Sequence, residues 1–496
     1  MHIGDYLAIF GLAVSAVIFL WLAKESRAKH LSVESYLLDD RKARKADFGP
    51  SMVAASTSLA TVIMFFIAFS EHFGLVLLFC GATYLAGQAF FINFLAKAKI
   101  DTHDLTTNAD FWRKFSLAEG SARLIALLTF STFLVILFIE LYIGSVIIQY
   151  YFKDLGKIGK SLSFFALGAI VISYVRVGGL RVVFRTDAWQ LRLMVASMIA
   201  LSIFALSAPA TGESSFSISQ LFYVRASGYD ILFFCAWIAL INFTLPFTQL
   251  SSWQRIAATT TVQEAWSGLI KQIGPFLVVW CVPVIAFVIL GAKGYALTDL
   301  PSLFDALRSS SSVVEGILFP VIFVGFSSAL FSTADSAMIA LQFAATDKGL
   351  SGNHFKGVKE SEFRKKLLIV MFLIVALLSV IFSLAEANLG PWFLPLIFGM
   401  FGQLAVFSPQ LIYALRSTIK GRTSLPLSRL GEMANFYAII LGWIVIISSA
   451  LLKAQEVLPQ QGTQEIATFV AVIISGLGVL VGHIHSRNKL NSIVEK

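Results

Sequence analysis

The sequence has few charged residues for its length. Of its 496 residues only 14% are Asp, Glu, Lys or Arg, whereas 57% are hydrophobic. A soluble domain usually has about 25% charged residues, and a water-soluble chain could not keep this much Leu, Ile, Val and Phe away from water. The composition excludes a soluble enzyme and predicts that lipid is the solvent for most of the chain.

Cysteine is scarce as well. The three cysteines, Cys80, Cys235 and Cys281, lie in apolar stretches, where a thiol behaves as a small hydrophobic group. A disulfide framework is therefore excluded. Hydrophilic stretches are short, none exceeding about 25 residues, which is too few for a kinase, ATPase or sensor domain. Any work done by this protein would have to be driven by a gradient.

The sequence contains long apolar runs instead. A spanning helix needs about 20 apolar residues, and the runs are continuous rather than alternating, so a transmembrane barrel is excluded. We predict an all-α polytopic membrane protein with about thirteen transmembrane helices. The predicted spans are 5–23, 50–70, 73–96, 122–151, 161–176, 187–207, 229–250, 266–291, 313–346, 365–385, 391–415, 434–452 and 466–485.

The net charge of +9 belongs to the loops and does not indicate a nucleic-acid partner. Lys and Arg concentrate in alternate loops, for example 24–45 and 348–366. Because cytoplasmic loops carry the excess of basic residues, this asymmetry predicts an N-terminus outside the cell membrane and a C-terminus inside. Membrane lipid is an expected partner; the stretch 24–45 is interpreted first as a topology signal, with contact to lipid head groups as the minor alternative.

Two predicted spans contain polar clusters at membrane depth. The clusters are Ser56, Thr57, Ser58 and Thr61 in span 2, and Asn242, Thr244, Pro246, Thr248 and Gln249 in span 7. Proline frees a backbone carbonyl and hydroxyl groups bond the backbone locally, so both helices are predicted to be interrupted. Interrupted helices at matching positions of two halves point to a transporter binding site. The alternative is ordinary polar contact between helices.

Span 9 carries a polar face. At 100° per residue, Asp335, Ser332, Ser336, Ala329 and Thr333 lie across one face about 160° wide. Hard oxygen ligands with a single carboxylate suit an alkali cation rather than zinc, since no His or Cys is near. The alternative is a packing seam in which Asp335 is protonated or paired.

Three further charges lie in or beside the spans. Asp187 opens span 6, where a carboxylate can cap the helix and complement its dipole. Glu140 in span 4 and Arg192 in span 6 are membrane charges that can pair structurally, and we assign them no role in solute binding.

Four segments, in the correct order, resemble motifs of the sodium:solute symporter family. They are Val33–Leu38 followed by Arg41, Val177–Gln190 with its Gly178-Gly179-Leu180-Arg181 and Thr186-Asp187, the pair Gln254-Arg255, and Ser332–Ser336. The resemblance covers nearly the whole chain. It implies the inverted-repeat fold of the bacterial leucine transporter, with a broken first helix in each five-helix repeat. Residues 1–496 would form one transmembrane domain, made of an extra helix 5–23, repeat 1 at 50–207, repeat 2 at 229–415 and two C-terminal helices at 434–485.

The resemblance also implies ligand sites. A first Na⁺ site between spans 2 and 9 would use carbonyls of Ala54, Thr57 and Ala329 with the hydroxyls of Ser332 and Thr333, and a shift of one residue would give Ala55 and Ser58. A second Na⁺ site would use Asp187, Asp335 and Ser336 with Ser332 shared, and a proton is an alternative at Asp335. Solute contacts would come from Thr61, Asn242, Leu245 and Gln249. Thr61 and Leu245 replace a glutamine and an aromatic gate of sugar-transporting relatives.

The expected function is therefore transport rather than catalysis. The resemblance implies symport of a small organic solute into the cell by alternating access, with Na⁺ as the co-transported ion. A proton-coupled symporter, a channel and a transporter-like receptor remain as alternatives, and the sequence does not name the solute.

Overall fold

The computed structural model describes residues 3–25, 32–151, 156–211, 218–308, 313–351, 360–385, 389–422, 424, 426–455, 457 and 462–494. Within these ranges the regular structure is helical, apart from one isolated parallel β-bridge between Ala43 and Thr259. The predicted all-α membrane class is confirmed.

Twenty α-helices lie in the described ranges. They are α1 Ile3–Glu25, α2 Val33–Leu38, α3 Lys45–Ser56, α4 Met64–Phe73, α5 Leu78–Lys97, α6 Asn108–Ser116, α7 Glu119–Tyr151, α8 Lys157–Ser207, α9 Gly228–Thr248, α10 Leu250–Ala257, α11 Val262–Lys271, α12 Ile273–Ala292, α13 Leu300–Arg308, α14 Val313–Ala344, α15 Lys348–Ser351, α16 Glu360–Ala385, α17 Leu389–Val406, α18 Ser408–Ile419, α19 Arg429–Ala454 and α20 Thr463–Val494. A π-helical turn, Leu59–Ile63, leads directly into α4.

Eleven helical stretches in the described ranges are long and apolar enough to cross a membrane. The sequence predicts more because two of the stretches, Leu59–Lys97 and Ile158–Ser207, each cover two predicted spans. A straight helix rises 1.5 Å per residue, so both are far longer than a hydrocarbon core of about 30 Å. Each turns at a glycine with positive φ, Gly74 at 54° and Gly179 at 57°.

Gly179 is required where it lies. A Cβ atom at this position would be 2.1 Å from the Tyr36 carbonyl oxygen, and the positive φ is a conformation that other residues avoid. The Tyr36 hydroxyl donates to the Val175 carbonyl at 3.2 Å. Two segments of the predicted family motifs, 33–38 and 177–190, therefore pack directly against each other.

The polar face predicted for span 9 lies in the centre of the bundle. In the most apolar 18-residue stretch of α14, 83% of the residues are buried, compared with 22% in that of α1 and 33% in that of α16. Helix α14 packs against α1, α7 and α8. At the periphery α19 and α20 pack together closely, since a Cβ at Gly478 would be 2.3 Å from the Cβ of Ala438. The glycine pair Gly478 and Gly482 therefore serves a contact within the chain.

Candidate ion and solute site

Span 2 is interrupted where its hydroxyl residues lie. Helix α3 ends at Ser56, Thr57 and Ser58 have non-helical backbone angles (φ −101°, ψ 72° and φ −71°, ψ 139°), and helix resumes at Leu59. The Ser58 hydroxyl caps the second half by accepting the Thr61 N–H at 2.7 Å. The hydroxyls of Ser56 and Thr57 donate to the Val53 carbonyl at 2.8 and 2.9 Å. The predicted interruption is confirmed, and the side chains satisfy backbone groups that the break leaves open.

Span 7 is interrupted as well. Helix α9 ends at Thr248, Gln249 is extended (φ −74°, ψ 105°), and α10 begins at Leu250. Pro246 lies three residues before the break, and the Thr244 hydroxyl donates back to the Leu240 carbonyl at 2.8 Å. The sequence prediction is confirmed, with Gln249 as the one extended residue between the two halves.

The chain entering α3 is tied to the chain leaving α10. The Ala43 N–H donates to the Ala258 carbonyl at 3.0 Å, and the Thr260 N–H donates to the Ala43 carbonyl at 3.2 Å. Buried Arg41 extends this link: it donates to carbonyls of Thr102, Leu105 and Ala257 and forms an ion pair with Glu34 at 2.7 Å. By the predicted topology this link lies on the cytoplasmic side of the two breaks, and we expect it to keep that side closed.

Replacing Arg41 by methionine should open this side. The change keeps an unbranched side chain but removes the charge and the donors to three backbone carbonyls, which are then left without that partner. The measure is the labelling rate of Cys80, which lines the cavity described below, with Cys235 and Cys281 changed to serine. We expect a several-fold faster reaction with a membrane-impermeant maleimide applied from the predicted cytoplasmic side. Lys42→Met, at an exposed neighbour, is the control, and equal rates in both variants would contradict this role.

A buried ion pair joins four helices at the centre. The Asp187 carboxylate on α8 accepts hydrogen bonds from Ser51 of α3 at 2.5 Å and from Ser332 of α14 at 2.6 Å. Arg255 of α10 lies 3.2 Å from Asp187 and donates to Ser51 at 2.8 Å and to Ser336 at 2.6 Å. Asp187 and Arg255 are 0% and 1% exposed, so each charge depends on the other.

Asp187 is not a helix cap. It lies eight residues beyond Gly179, within the second helical part of α8, and its partners are side chains of other helices. In the sequence, Arg255 is part of the Gln254-Arg255 motif, which indicates no ligand or partner for it. No sequence signal shows that it reaches Asp187, since the two residues are 68 positions apart.

Asp335 lies in the same region. It accepts the Tyr174 hydroxyl at 2.9 Å and the Thr186 hydroxyl at 3.4 Å, and the Ser336 hydroxyl lies 3.4 Å from its other oxygen. The structure thus brings together the residues predicted for a second cation site, which are Asp187, Asp335, Ser336 and Ser332. Arg255 contacts both Asp187 and Ser336 and supplies a positive charge there.

The residues predicted for the first cation site lie at the contact between the span-2 break and α14. The Ala54 carbonyl accepts the Thr57 N–H at 3.0 Å, and α14 packs against both α3 and the 59–63 turn. Among the described residues, the buried Thr333 hydroxyl has no hydrogen-bond partner. Buried polar groups are normally satisfied, so this hydroxyl is available to an ion or solute.

One cavity adjoins both breaks. Its empty space, open solvent included, is about 800 Å³. Its wall contains the four residues predicted for solute contact, together with Thr333 and both alternatives from span 2; these are Thr61, Asn242, Leu245, Gln249, Thr333, Ala55 and Ser58. The Asn242 amide nitrogen also donates to the Cys80 carbonyl at 3.0 Å and to Thr83 at 2.8 Å.

Comparisons with known proteins identify the fold. A scan against family models finds no match, and a search of curated proteins finds none. Among solved structures, a substrate-bound, outward-open Na⁺-coupled sialic acid symporter has a TM-score of 0.64 at 16% identity and covers 98% of each chain. MhsT in complex with L-phenylalanine has a TM-score of 0.53 at 14% identity, covering 92% of this chain and 100% of MhsT.

A manganese transporter from Eremococcus coleocola has a TM-score of 0.57 at 13% identity and covers 93% of this chain and 97% of its own. All three structures are of membrane transporters, and at 13–16% identity the likeness shows the fold of this chain. This chain therefore has the leucine-transporter-like fold that such transporters share.

Proposed function

We propose that this protein is a Na⁺-coupled symporter of the sodium:solute symporter family that moves a small organic solute into the cell. One observation carries the proposal: the breaks of spans 2 and 7 line a single cavity, with the unpartnered Thr333 hydroxyl of span 9 in its wall. Broken helices around a central cavity are the arrangement by which secondary transporters bind solute and ion together.

In the proposed mechanism, Na⁺ from outside binds carbonyl oxygens of Ala54, Thr57 and Ala329 and the hydroxyls of Ser332 and Thr333. The bound ion holds the span-2 break against α14 and so preforms the solute cavity. Each ligand favours the same conformation and raises the affinity for the other. An inward membrane potential contributes about 2.3 kcal/mol per charge per 100 mV. The Arg41 link then opens and both ligands leave to the cytoplasm.

Arg255 supports transport of one Na⁺ per cycle. A cation bound to Asp187 would lie beside a guanidinium that already forms an ion pair with that carboxylate, and like charges repel in a buried site. The second Na⁺ site at Asp187, Asp335 and Ser336 stays a prediction for a conformation in which Arg255 moves away. A proton at Asp335 is the alternative that the same geometry leaves open.

Thr333→Val tests the first site cleanly. Valine has nearly the shape of threonine, and since the lost hydroxyl has no partner in the described protein, the variant should fold normally. We expect the rise in unfolding temperature that NaCl produces, relative to choline chloride, to be lost. Thr418→Val, whose hydroxyl bonds only the Ala414 carbonyl in its own helix, should keep the response. A full Na⁺ response in Thr333→Val would reject this assignment.

The double variant Ser332→Ala with Thr333→Ala should abolish Na⁺-stimulated uptake while expression persists. The solute itself is found by a thermal-shift screen of purified protein against sugars, amino acids, carboxylates and vitamins, with and without Na⁺. In liposomes, a channel would carry Na⁺ current without solute, whereas the proposed symporter moves Na⁺ only with it. A receptor would concentrate no solute at all, and a proton-coupled symporter would follow a pH gradient when choline replaces Na⁺.

The proposed location is the cell membrane, with the N-terminus outside and the C-terminus in the cytoplasm. This orientation rests on the distribution of Lys and Arg among the loops.

A further inference from the structure

Glu140 lies on α7 with its side chain fully buried. Its carboxyl group accepts a hydrogen bond from the Ser58 hydroxyl. Ser58 caps the helical segment Leu59–Phe73, which resumes after the span-2 break. The N-terminal end of a helix carries a partial positive charge, so Glu140 occupies the positive end of the half-helix.

The positive end of this half-helix does not fully satisfy the carboxylate. Its second oxygen, Oε2, has no hydrogen-bond partner among the described residues. No Lys or Arg of the described residues forms an ion pair with Glu140, so the structure does not show the pairing that the sequence left possible. Buried groups on the neighbouring helices α8 and α14 already have partners: Asp187 pairs with Arg255 of α10, and Tyr174 donates to Asp335. A buried negative charge without a counter-ion is costly, so this carboxyl group is neutral unless a cation lies near it.

The solute cavity begins directly beside this carboxyl group. Ser58, which donates to Glu140, is part of the cavity wall, and so is Ile136, one helical turn before Glu140 on α7. Among the described residues, those of the wall include no Asp, Glu, Lys, Arg or His. The wall contains six aromatic rings, which are Phe65, Phe66, Tyr84, Trp237, Trp280 and Phe401. Trp280 stacks on Tyr84 with ring centroids 4.8 Å apart and meets the edge of Phe66 at 6.0 Å.

In transporters with broken helices, the positive end of a half-helix commonly faces an anionic group of the substrate. Here a carboxylate of the protein has that place. We propose that the solute is a compact organic cation, such as an alkylammonium or arylalkylammonium ion, and that the cavity discriminates against carboxylates. The cationic group would lie against the aromatic rings, which attract positive charge, and Glu140 would balance its charge across Ser58. This inference rests on the proposed function, because it treats the cavity as the transported solute's site.

Three probes with the same ring and different charge test the inference: benzylamine, benzyl alcohol and benzoate. Binding is measured to the purified full-length protein in NaCl through the fluorescence of Trp237 and Trp280, which line the cavity. We expect benzylamine to bind at least about tenfold more tightly than benzoate, with benzyl alcohol between them. Equal or tighter binding of benzoate, or no preference for benzylamine, would overturn the proposal.

Glu140→Gln tests the residue itself. The amide keeps the size of the side chain and a hydrogen bond to Ser58 but removes the charge, so the preference for benzylamine should fall several-fold and benzoate should gain affinity. Glu362→Gln, at an exposed carboxylate paired with Lys366, should leave the order of the probes unchanged. An unchanged preference in folded Glu140→Gln would overturn the role of Glu140. If Glu140→Gln does not fold, the wild-type order of the three probes still decides the class of solute.

Failure of this inference is distinguishable from failure of the proposed function. Suppose that NaCl stabilises the wild type, that Thr333→Val loses this response, and that the wild type still prefers benzoate. This combination would refute only the proposal that the solute is a cation. A protein without any Na⁺ response would refute the coupling, whatever its order of preference.

Discussion

Replacing Arg255 by alanine is expected to lower the free energy of unfolding by about 3–5 kcal/mol, the usual effect of removing one partner of a buried ion pair. The guanidinium is 1% exposed and has partners on α3, α8 and α14, so its loss leaves the Asp187 carboxylate without a counter-charge. Asp335 lies nearby with a second carboxyl group, which adds to the penalty. The measurement is thermal or denaturant unfolding of the purified protein in detergent.

A second readout distinguishes this loss from a general packing defect. Without Arg255, the two carboxyl groups and the Ser332 and Ser336 hydroxyls form an oxygen-rich site suited to an alkali cation. NaCl should therefore raise the unfolding temperature of Arg255→Ala, relative to choline chloride, more than that of the wild type. Arg123→Ala, which removes an exposed ion pair with Glu119, should cost less than about 1 kcal/mol. A small loss of stability in Arg255→Ala, equal to that of Arg123→Ala, would contradict the central place of this ion pair.

Gly87→Ala should be at least as damaging. A Cβ at Gly87 on α5 would lie 2.0 Å from the Asn242 carbonyl oxygen and 2.9 Å from its carbonyl carbon on α9. Both atoms belong to the backbone, so no side chain can rotate away and the helices must separate. Overpacking usually costs about 1–3 kcal/mol, and here we expect more. The separation would also break the hydrogen bonds from Asn242 to Cys80 and Thr83. The yield of folded protein, measured as the area of the monodisperse peak in size-exclusion chromatography, should therefore fall sharply.

Gly476→Ala is the matched control for this prediction. Gly476 is also in the interior of a membrane helix, but a Cβ there would have no atom within 4 Å. Alanine is the better helix former by about 1 kcal/mol, so this variant should be neutral or more stable. Equal yields of folded Gly87→Ala and Gly476→Ala would show that α5 and α9 are not in close contact at Asn242.

The sequence predicts the breaks well because their causes are local. Three adjacent hydroxyl residues at 56–58 compete with the helix for backbone bonds, and Pro246 prevents one bond just before Gln249. The polar face of α14 was also predicted, since the helical period alone places Ser332, Thr333 and Asp335 on one side. These features need no knowledge of neighbouring helices.

Contacts between distant segments were not predictable in the same way. Hydropathy gives the depth of Arg255 and Glu140 in the membrane, but not which helices lie beside them. Glu140 is 82 residues from Ser58, and only the packing of α7 against the 59–63 turn brings the two together. The number of spans predicted from the sequence, about thirteen, exceeds the eleven candidates in the described residues for a related reason. In a stretch such as Ile158–Ser207, hydropathy suggests a loop between two helices, whereas the structure has a single turning residue, Gly179.

The most direct test of the central claim is a crystal structure of the protein grown with thallium(I), an alkali-like cation with a strong anomalous signal, in place of Na⁺. The account predicts an anomalous peak at the span-2 break, in contact with the carbonyl oxygens of Ala54 and Ala329 and the hydroxyls of Ser332 and Thr333. The absence of a peak between span 2 and α14, or a single peak beside Asp335 alone, would contradict it.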